Sequence, residues 1–446
     1  ESHRDRGEAR NELVIVPTNG SAPPRSLTAG NDFYACPRLH ADGTRLAWLE
    51  WSHPQMPWDG TELWVADFDP EHGLTQASRV AGGPDESVFQ PQWSPGGRLH
   101  FVSDRTGWWN LYAIHGGEVL PLCPREAEFG APQWVFGLSR YAFLADGTVV
   151  CSYTQDGRDY LGLLPPGRLD RPGVSTLKTL DTPFTSHVGG GSVHSGPGGR
   201  VYFLGGSAST GTAVVGLDPE TGHIEVIKAC DTAAVDEGYL STPEPIRFPT
   251  RDGSIAHALY YPPVNKDFSA PVDDKPPLLV LSHGGPTSAT SSQLRLALQF
   301  WTSRGFAVVD VNYGGSTGFG RAYRERLKGQ WGIVDSSDCV EAATYLERRG
   351  IIDAGRMAIR GGSAGGFTTL SALVFHDVFS AGASYYGVAD LAALAADTHK
   401  FESHYLDGLI GPYPQTRARY RERSPIHHTD RLSCPVILFQ GLEDRV

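Results

Sequence analysis

The sequence has 446 residues, which is enough for two or three domains of about 150 residues each. Apolar residues make up 40% of the chain, so it can bury cores and is not intrinsically disordered. The formal net charge of −12 argues against a nucleic-acid partner, because phosphates attract clustered Lys and Arg. No run approaches the ~20 consecutive apolar residues that a membrane-spanning helix requires.

Two Arg-rich segments, residues 321–328 and 417–423, contain interleaved Glu and are predicted to be solvated helix faces. The six cysteines are far apart, with no C-x-x-C pair and no metal-ligand spacing, so we expect neither a disulfide framework nor a metal site. We also expect no cofactor. In a chain of this size, that pattern favours a reducing, cytoplasmic location. The chain opens at Glu1 rather than Met, so a signal peptide upstream would not be visible. The sequence leaves open whether the protein forms a homo-oligomer.

The N-terminal half alternates Trp, Tyr and Phe with polar residues in short runs between turn residues, which predicts an all-β domain. A loose repeat begins at Pro37, Pro91 and Pro132, which are 54 and then 41 residues apart, and a fourth copy begins at Ser195. Both spacings suit four short strands, the size of a propeller blade. One blade cannot bury both faces, so blades must stack around an axis. We therefore predict an incomplete β-propeller over residues 1–237 with about four visible blades, and a β-sandwich with accidental repeats as the alternative.

Residues 238–446 follow a different pattern. Asp252-Gly253 predicts a tight hairpin turn, and strand-like apolar runs then alternate with helical patterns, which is typical of βαβ units in a mostly parallel, doubly wound sheet. The predicted strands are residues 277–282, 307–311, 357–360, 381–386 and 436–440. The predicted helices are residues 293–302, 337–348 and 366–375.

The sharpest local motif is Gly361-Gly-Ser-Ala-Gly365, which follows an apolar strand and precedes a helical pattern. G-x-S-x-G between a strand and a helix is the nucleophile elbow of α/β-hydrolases, in which a strained turn raises the serine hydroxyl above the sheet edge. Ser363 is therefore the predicted nucleophile. The alternative is a chance match in a chain that contains 53 glycines.

A serine hydroxyl needs a base, and the base needs a carboxylate to orient it. In this fold the chain order is Ser, then Asp or Glu, then His. Asp444 follows the predicted strand 436–440 and is the predicted acid, with Glu443 as its competitor. His283, His427 and His428 do not satisfy this order, so we assign no catalytic histidine. We expect the histidine to lie beyond the given residues.

Two backbone N–H groups should stabilise the negative oxygen that develops during acyl transfer. Ala364, directly after the nucleophile, supplies one of them. Gly285 is the predicted second donor, in the loop after an early strand, although a purely structural turn would explain the same glycines. The glycine-rich loop 312–320 is predicted to be a wall of the site rather than an oxyanion donor. Its glycines could imitate a phosphate cradle, but no Gly-Lys-Ser/Thr follows them, so a nucleotide role is disfavoured.

These motifs together resemble the prolyl oligopeptidase family, and most of all its acylaminoacyl-peptidase and dipeptidyl-aminopeptidase branch. The series is a propeller, H-G-G-P (283–286), N-Y-G-G-S-T-G-F-G (312–320), G-G-S-A-G-G (361–366), S-P-I-x-x-x-D (424–430) and G-L-E-D-R-V (441–446). Within that branch the chain is similar to a bacterial aminopeptidase that cleaves an aminoacyl amide. The resemblance is strong over residues 240–446 and only architectural over residues 1–235.

The resemblance implies an exopeptidase-like serine peptidase that cleaves short peptides or aminoacyl amides through an acyl-enzyme on Ser363. It also implies that Asp444 orients a histidine, that Gly285 and Ala364 are the oxyanion donors, and that the propeller caps the site. Family propellers have about seven or eight blades, so we expect this chain to be trimmed at both ends. An esterase on the same fold is one alternative, and a propeller binding module with a decayed hydrolase domain is another.

Two sets of residues are candidates for contact with the substrate. Val388, Leu391, Phe401 and Tyr405 are candidate walls of an apolar pocket beyond the strand 381–386, although each could equally belong to the core. A free α-amine in a desolvated site would need a carboxylate. Glu126 and Glu128 lie between predicted blades and are the candidates, with solvent exposure as the alternative for both.

Overall fold

The structure is a computed structural model that describes residues 8–166, 176–187, 192–230 and 235–444. In the N-terminal half a short hairpin, β1 (Leu13–Ile15) and β2 (Arg25–Thr28), precedes four successive antiparallel sheets. The strands of the four sheets are β3 (Phe33–Leu39), β4 (Arg45–Trp51), β5 (Thr61–Asp69) and β6 (Gly73–Gly83); β7 (Val88–Trp93), β8 (Leu99–Ser103), β9 (Asn110–His115) and β10 (Glu118–Pro121); β11 (Tyr141–Phe143), β12 (Val149–Gln155), β13 (Arg158–Leu164) and β14 (Lys178–Leu180); and β15 (Ser186–His187), β16 (His194–Ser195), β17 (Val201–Gly206), β18 (Ala213–Leu217) and β19 (Ile224–Ala229).

Neighbouring sheets bury their apolar faces against each other. Leu49 and Leu63 of the first sheet share one core with Phe101 and Tyr112 of the second. A separate core joins the third and fourth sheets, where Val150 meets residues such as Phe203. Each sheet therefore depends on its neighbour for burial, as the repeat predicted.

The third copy of the repeat is placed differently from the prediction. Pro132 lies outside the strands, and the third sheet begins only at β11. The chain before it makes an isolated bridge between Glu128 and Thr154, and the Trp134 indole turns to the C-terminal domain, where it donates to Thr287 O at 2.8 Å. Contacts with the C-terminal half, rather than the geometry of a blade, thus determine the conformation of this segment.

The C-terminal half contains a seven-stranded sheet in the order β20-β21-β23-β22-β24-β25-β26. Its strands are β20 (Glu244–Pro249), β21 (Ile255–Tyr261), β22 (Leu278–Ser282), β23 (Ala307–Asn312), β24 (Met357–Gly362), β25 (Ala381–Tyr385) and β26 (Val436–Phe439). The first two strands are antiparallel, and the last five run parallel to one another. The helices are α1 (Leu296–Thr302), α2 (Arg321–Arg324), α3 (Val334–Arg348), α4 (Ala364–Phe375), α5 (Leu391–Ala396), α6 (Tyr405–Leu409) and α7 (Arg417–Arg423).

The hairpin and the five predicted parallel strands are confirmed, each to within two residues. Every residue of β23 is buried, as expected for a central strand covered on both faces. The carboxyl ends of β24, β25 and β26 lie on one edge of the sheet, and candidate site residues follow β24 and β26 there. The division near residue 238 and the count of about four blades remain our predictions. Within the described residues, no helix is both long and apolar enough to cross a membrane.

The prediction of a solvated face for residues 321–328 is wrong for two arginines. Arg324 is 4% exposed, and its Nη2 donates to Asp104 Oδ2 of the N-terminal half at 2.5 Å. Arg321 Nη1 donates to the same oxygen at 2.8 Å. Arg324 also stacks on the Trp109 ring at 4.3 Å. Charge spacing along a short helix could not show that a buried carboxylate of another domain faces it.

Candidate active site

Ser363 lies at the turn between β24 and α4. Its backbone has φ 54° and ψ −124°, a strained conformation for a residue with a side chain. Its N–H donates to Tyr385 O at 3.0 Å, and its carbonyl accepts from Phe367 N at 3.1 Å, so strand and helix both hold the turn. The residue is exposed while its neighbour Ala364 is buried. The turn thus presents the hydroxyl at the carboxyl edge of the sheet.

The glycines around Ser363 are required by close backbone packing. A methyl group at Gly361 would lie 2.3 Å from Gly365 O, and one at Gly365 would lie 2.2 Å from Ser282 O. Gly366 is equally confined, since its methyl group would meet Gly387 Cα at 2.5 Å. Helix α4 therefore packs directly on the ends of the neighbouring strands.

The loop that contains Gly285 lies beside the nucleophile. A methyl group at Gly284 would be 3.7 Å from Ser363 Cβ. Gly285 has φ +125° and no room for a side chain, since a methyl group there would be 2.8 Å from Thr287 N. Ala364 begins α4, so its N–H is among those that have no partner within the helix. The two predicted oxyanion residues therefore flank Ser363, and their donor roles remain our proposal.

Side chains from three regions hold this loop. Thr287 N donates to the Tyr405 hydroxyl at 3.1 Å, and the two hydroxyls of these residues are 2.5 Å apart. From the N-terminal half, Trp134 Nε1 donates to Thr287 O. His283 stacks on Tyr313, and its Nε2 lies 2.7 Å from Ser316 Oγ. His283 is thus engaged in the loop's own support.

Asp444 follows β26, two strands away from β24 on the same edge of the sheet. Its Oδ2 accepts from Gln440 Nε2 at 3.0 Å, and its N–H donates to Gly441 O at 3.3 Å. Both Asp444 and the competitor Glu443 are exposed. The placement after a parallel strand is the one that the predicted acid requires. Its catalytic role remains a prediction.

A small cavity of about 50 Å³ opens beside Ser363. It is lined by Gly285, Pro286, Trp331, Ser363, Ala364, Val388, Leu394, Thr398, Glu402, Tyr405 and Leu406. Two of the candidate wall residues, Val388 and Tyr405, therefore lie together with the nucleophile. The other two do not line it: Leu391 is fully buried in the core, and Phe401 packs on aromatic rings of the N-terminal half.

Neither carboxylate predicted to bind an amine lines this cavity. Glu126 is exposed. Glu128 is 2% exposed, so solvent exposure is the wrong alternative for it, and its oxygens accept from Trp109 N at 2.8 Å and Gly320 N at 2.9 Å. Burial raises the pKa of Glu128 above its ordinary value. It lines a separate cleft of about 390 Å³ between the two halves.

The sequence reasoning missed Glu402, Trp331 and Thr398. Glu402 ends the short 3-10 turn Lys400–Glu402, where neither a motif nor a periodicity marks it. Burial raises the pKa of Glu402, and the nearby His399 opposes that rise. Only the folding of this turn over the sheet edge brings a carboxylate into the cavity beside Ser363.

One cluster could in principle hold a cation. Ligand atoms of Glu8, Asp32 and His53 lie within 4.8 Å of one another. However, Lys400 Nζ lies 3.4 Å from Asp32 Oδ1 and 3.8 Å from Glu8 Oε2. The lysine already supplies the positive charge, so these residues form an ion-pair network between the two halves.

Four antiparallel sheets followed by a mostly parallel sheet with a serine elbow define a β-propeller joined to an α/β-hydrolase domain. The family model of the prolyl oligopeptidase family matches residues 292–446. The resemblance to this family that the sequence predicted is confirmed, and so is the predicted fold class.

Solved structures agree over nearly the whole chain. A crystal structure of puromycin hydrolase has 42% sequence identity and a TM-score of 0.91, and covers 98% of this chain and 66% of its own. A structure of a Mycobacterium tuberculosis puromycin-hydrolyzing peptidase has 43% identity and a TM-score of 0.92, and the match covers 97% of this chain and 66% of that one. Dipeptidyl aminopeptidase BIII of Pseudoxanthomonas mexicana is 30% identical over 217 residues, 47% of this chain and 32% of that protein. The chain thus spans about two thirds of these structures and about a third of that curated relative.

Proposed function

We propose that this chain carries the nucleophile of a serine peptidase that hydrolyses short peptides or aminoacyl amides through an acyl-enzyme. The observation that carries the proposal is the exposed Ser363 hydroxyl on a strained strand-to-helix turn, with a cavity beside it. The names of the similar structures support the substrate class, since both are described as hydrolysing puromycin. The dipeptidyl aminopeptidase relative supports a short substrate with a free amine.

In this mechanism the Ser363 oxygen attacks the scissile carbonyl while a base accepts its proton. By family resemblance the base is a histidine that Asp444 orients and that follows Asp444 in the chain. The N–H groups of Ala364 and Gly285 stabilise the tetrahedral oxyanion. The base then protonates the leaving amine as the carbon–nitrogen bond breaks, and water hydrolyses the resulting ester by the same steps in reverse.

We also propose a cytoplasmic location, which is supported by the six cysteines, all of them free thiols. The propeller would restrict access to short substrates. An esterase on the same fold would act on acyl esters and leave anilides intact, so the choice of chromogenic substrate separates the two activities.

The test is hydrolysis of aminoacyl anilides by the natural full-length protein and by its Ser363→Ala variant. Loss of the nucleophile should lower kcat by at least about a thousandfold, and labelling by a fluorophosphonate probe should disappear. Ser380→Ala is the matched control, because Ser380 is exposed just before β25, at the opposite edge of the sheet. Equal turnover by Ser363→Ala and wild type would remove Ser363 from the mechanism.

A further inference from the structure

The cavity beside Ser363 combines apolar walls with two polar groups. Trp331, Val388, Leu394 and Leu406 supply the apolar surface. The Thr398 hydroxyl is buried and has no hydrogen-bond partner among the residues that the structure describes. The other polar group is the Glu402 carboxylate. A buried hydroxyl without a partner is costly, and a carboxylate can only accept hydrogen bonds, so the cavity favours a ligand with hydrogen-bond donors.

Glu402 has little positive charge around it. Its side chain is 27% exposed, and its ion-pair partner in the described part of the chain is His399, with Nε2 3.3 Å away and 63% exposed. A histidine in that setting is a weak and solvated partner. A cation entering the cavity would meet a partly desolvated carboxylate, where a charge-assisted hydrogen bond is strongest.

The backbone around Glu402 is held in place by the N-terminal half. Phe401 packs against Phe33 at 5.7 Å and Trp134 at 6.0 Å between ring centroids. On its other side, Lys400 Nζ donates to Ala9 O at 2.7 Å. Tyr405 is fixed by its hydrogen bonds to Thr287. The residues on both sides of Glu402 are therefore held in place by these contacts. A fixed backbone positions the Glu402 carboxylate before a ligand binds.

The cavity has room for an amino group beside Glu402. A water-sized group needs roughly 10–15 Å³, and the cavity holds about 50 Å³. The two carboxylates predicted from the sequence do not compete, because Glu128 is engaged by two backbone N–H groups elsewhere and Glu126 faces solvent.

We infer that Glu402 binds the α-ammonium group of the substrate residue whose carbonyl Ser363 attacks, with the Thr398 hydroxyl as a second acceptor. This inference rests on the proposed peptidase function and assigns a specificity residue to it. It predicts that the protein acts as an aminopeptidase on substrates with a free α-amine, and it excludes N-acylated substrates from the same binding mode.

The test compares alanyl p-nitroanilide with N-acetylalanyl p-nitroanilide in the full-length protein. Glu402→Gln keeps the shape and removes the charge, so KM for the free-amine substrate should rise roughly ten- to a hundredfold, the range of one charged hydrogen bond. The slow turnover of the acetylated substrate should stay the same. Thr398→Val should shift KM in the same direction by a smaller factor.

The matched control is Glu347→Gln, which replaces an exposed carboxylate near the end of α3. It should leave KM unchanged for both substrates. Fluorophosphonate labelling of Ser363 at the wild-type rate shows that Glu402→Gln is folded. An unchanged KM, or equal losses for both substrates, would overturn the inference, and so would a loss confined to lysyl p-nitroanilide. Absence of turnover and labelling in the wild type would instead refute the proposed function itself.

Discussion

The turn at Ser363 is possible because Gly361, Gly362, Gly365 and Gly366 have no side chains. The turn brings the first residues of α4 so close to the end of β22 that no Cβ atom would fit between them. The G-x-S-x-G spacing is therefore the consequence of packing a helix against strand ends, and the motif predicted the local geometry directly.

We predict that Gly365→Ala displaces α4 and abolishes fluorophosphonate labelling of Ser363. The added methyl group would meet two backbone carbonyls, Ser282 O at 2.2 Å and His283 O at 2.7 Å, which cannot rotate away. Overpacking of this kind costs about 1–3 kcal/mol, which a thermal melt will show. Gly408→Ala in α6 is the control, since a methyl group there meets nothing within 4 Å. Equal labelling of both variants would contradict the prediction.

Helix α4 is tied to α3 by a buried carboxylate. Asp335 Oδ2 accepts from the Thr368 hydroxyl at 2.6 Å, and Oδ1 accepts from Gly332 N at 2.7 Å. Burial raises the pKa of Asp335 from 3.8 to about 6, against the opposing effect of these hydrogen bonds. The helix that begins directly after Ser363, the proposed nucleophile, is therefore supported by a group that titrates in mild acid.

The pKa of Asp335 is higher in the folded than in the unfolded chain, so the folded state binds its proton more tightly. Its contribution to the free energy of unfolding is fully present below about pH 4 and is lost as the pH rises through 6, by roughly 3 kcal/mol in total. Asp335→Asn cannot titrate. We predict that its Tm relative to wild type rises between pH 4 and pH 7, as followed by calorimetry. A constant difference across that range would contradict the assigned pKa.

The two halves of the molecule are joined by a charged and aromatic interface. Asp104 is 1% exposed and accepts from Arg321 and Arg324 of the hydrolase domain. The same interface places Trp134 on Thr287 and Phe401 against Phe33, next to the loop and the turn that line the cavity at Ser363. The N-terminal half therefore helps to shape the cavity beside Ser363.

We predict that Asp104→Asn weakens this interface with little change in shape. The amide oxygen of the new side chain would still accept from Ser87 N, as Asp104 Oδ1 does at 2.7 Å. However, the buried Arg324 guanidinium would lose its counter-charge, and Arg321 would keep only its ion pair with Glu325. Breaking a buried ion pair costs about 3–5 kcal/mol. The expected results are a lower Tm and faster limited proteolysis between the halves. Asp67→Asn, on an exposed position of β5, should leave both unchanged. Identical behaviour of the two variants would show that Asp104 does not hold the halves together.

The strands and helices of the hydrolase domain, and the turn that presents Ser363, could be predicted from the sequence because their signals are local. Strand periodicity and glycine spacing lie within short segments, so β24, α4 and the turn at Ser363 were predictable together. The same holds for Gly285 and Val388, which follow recognisable strands.

Glu402 and the Asp104 interface needed the folded molecule. Glu402 approaches Ser363 from 39 residues away in sequence, and Arg324 meets Asp104 across 220 residues. Charge and burial at such positions depend on which distant groups come together, and no short-range pattern encodes that. Local backbone chemistry thus specified the turn that presents Ser363, whereas long-range packing decided which carboxylate shares its cavity and which arginine is buried.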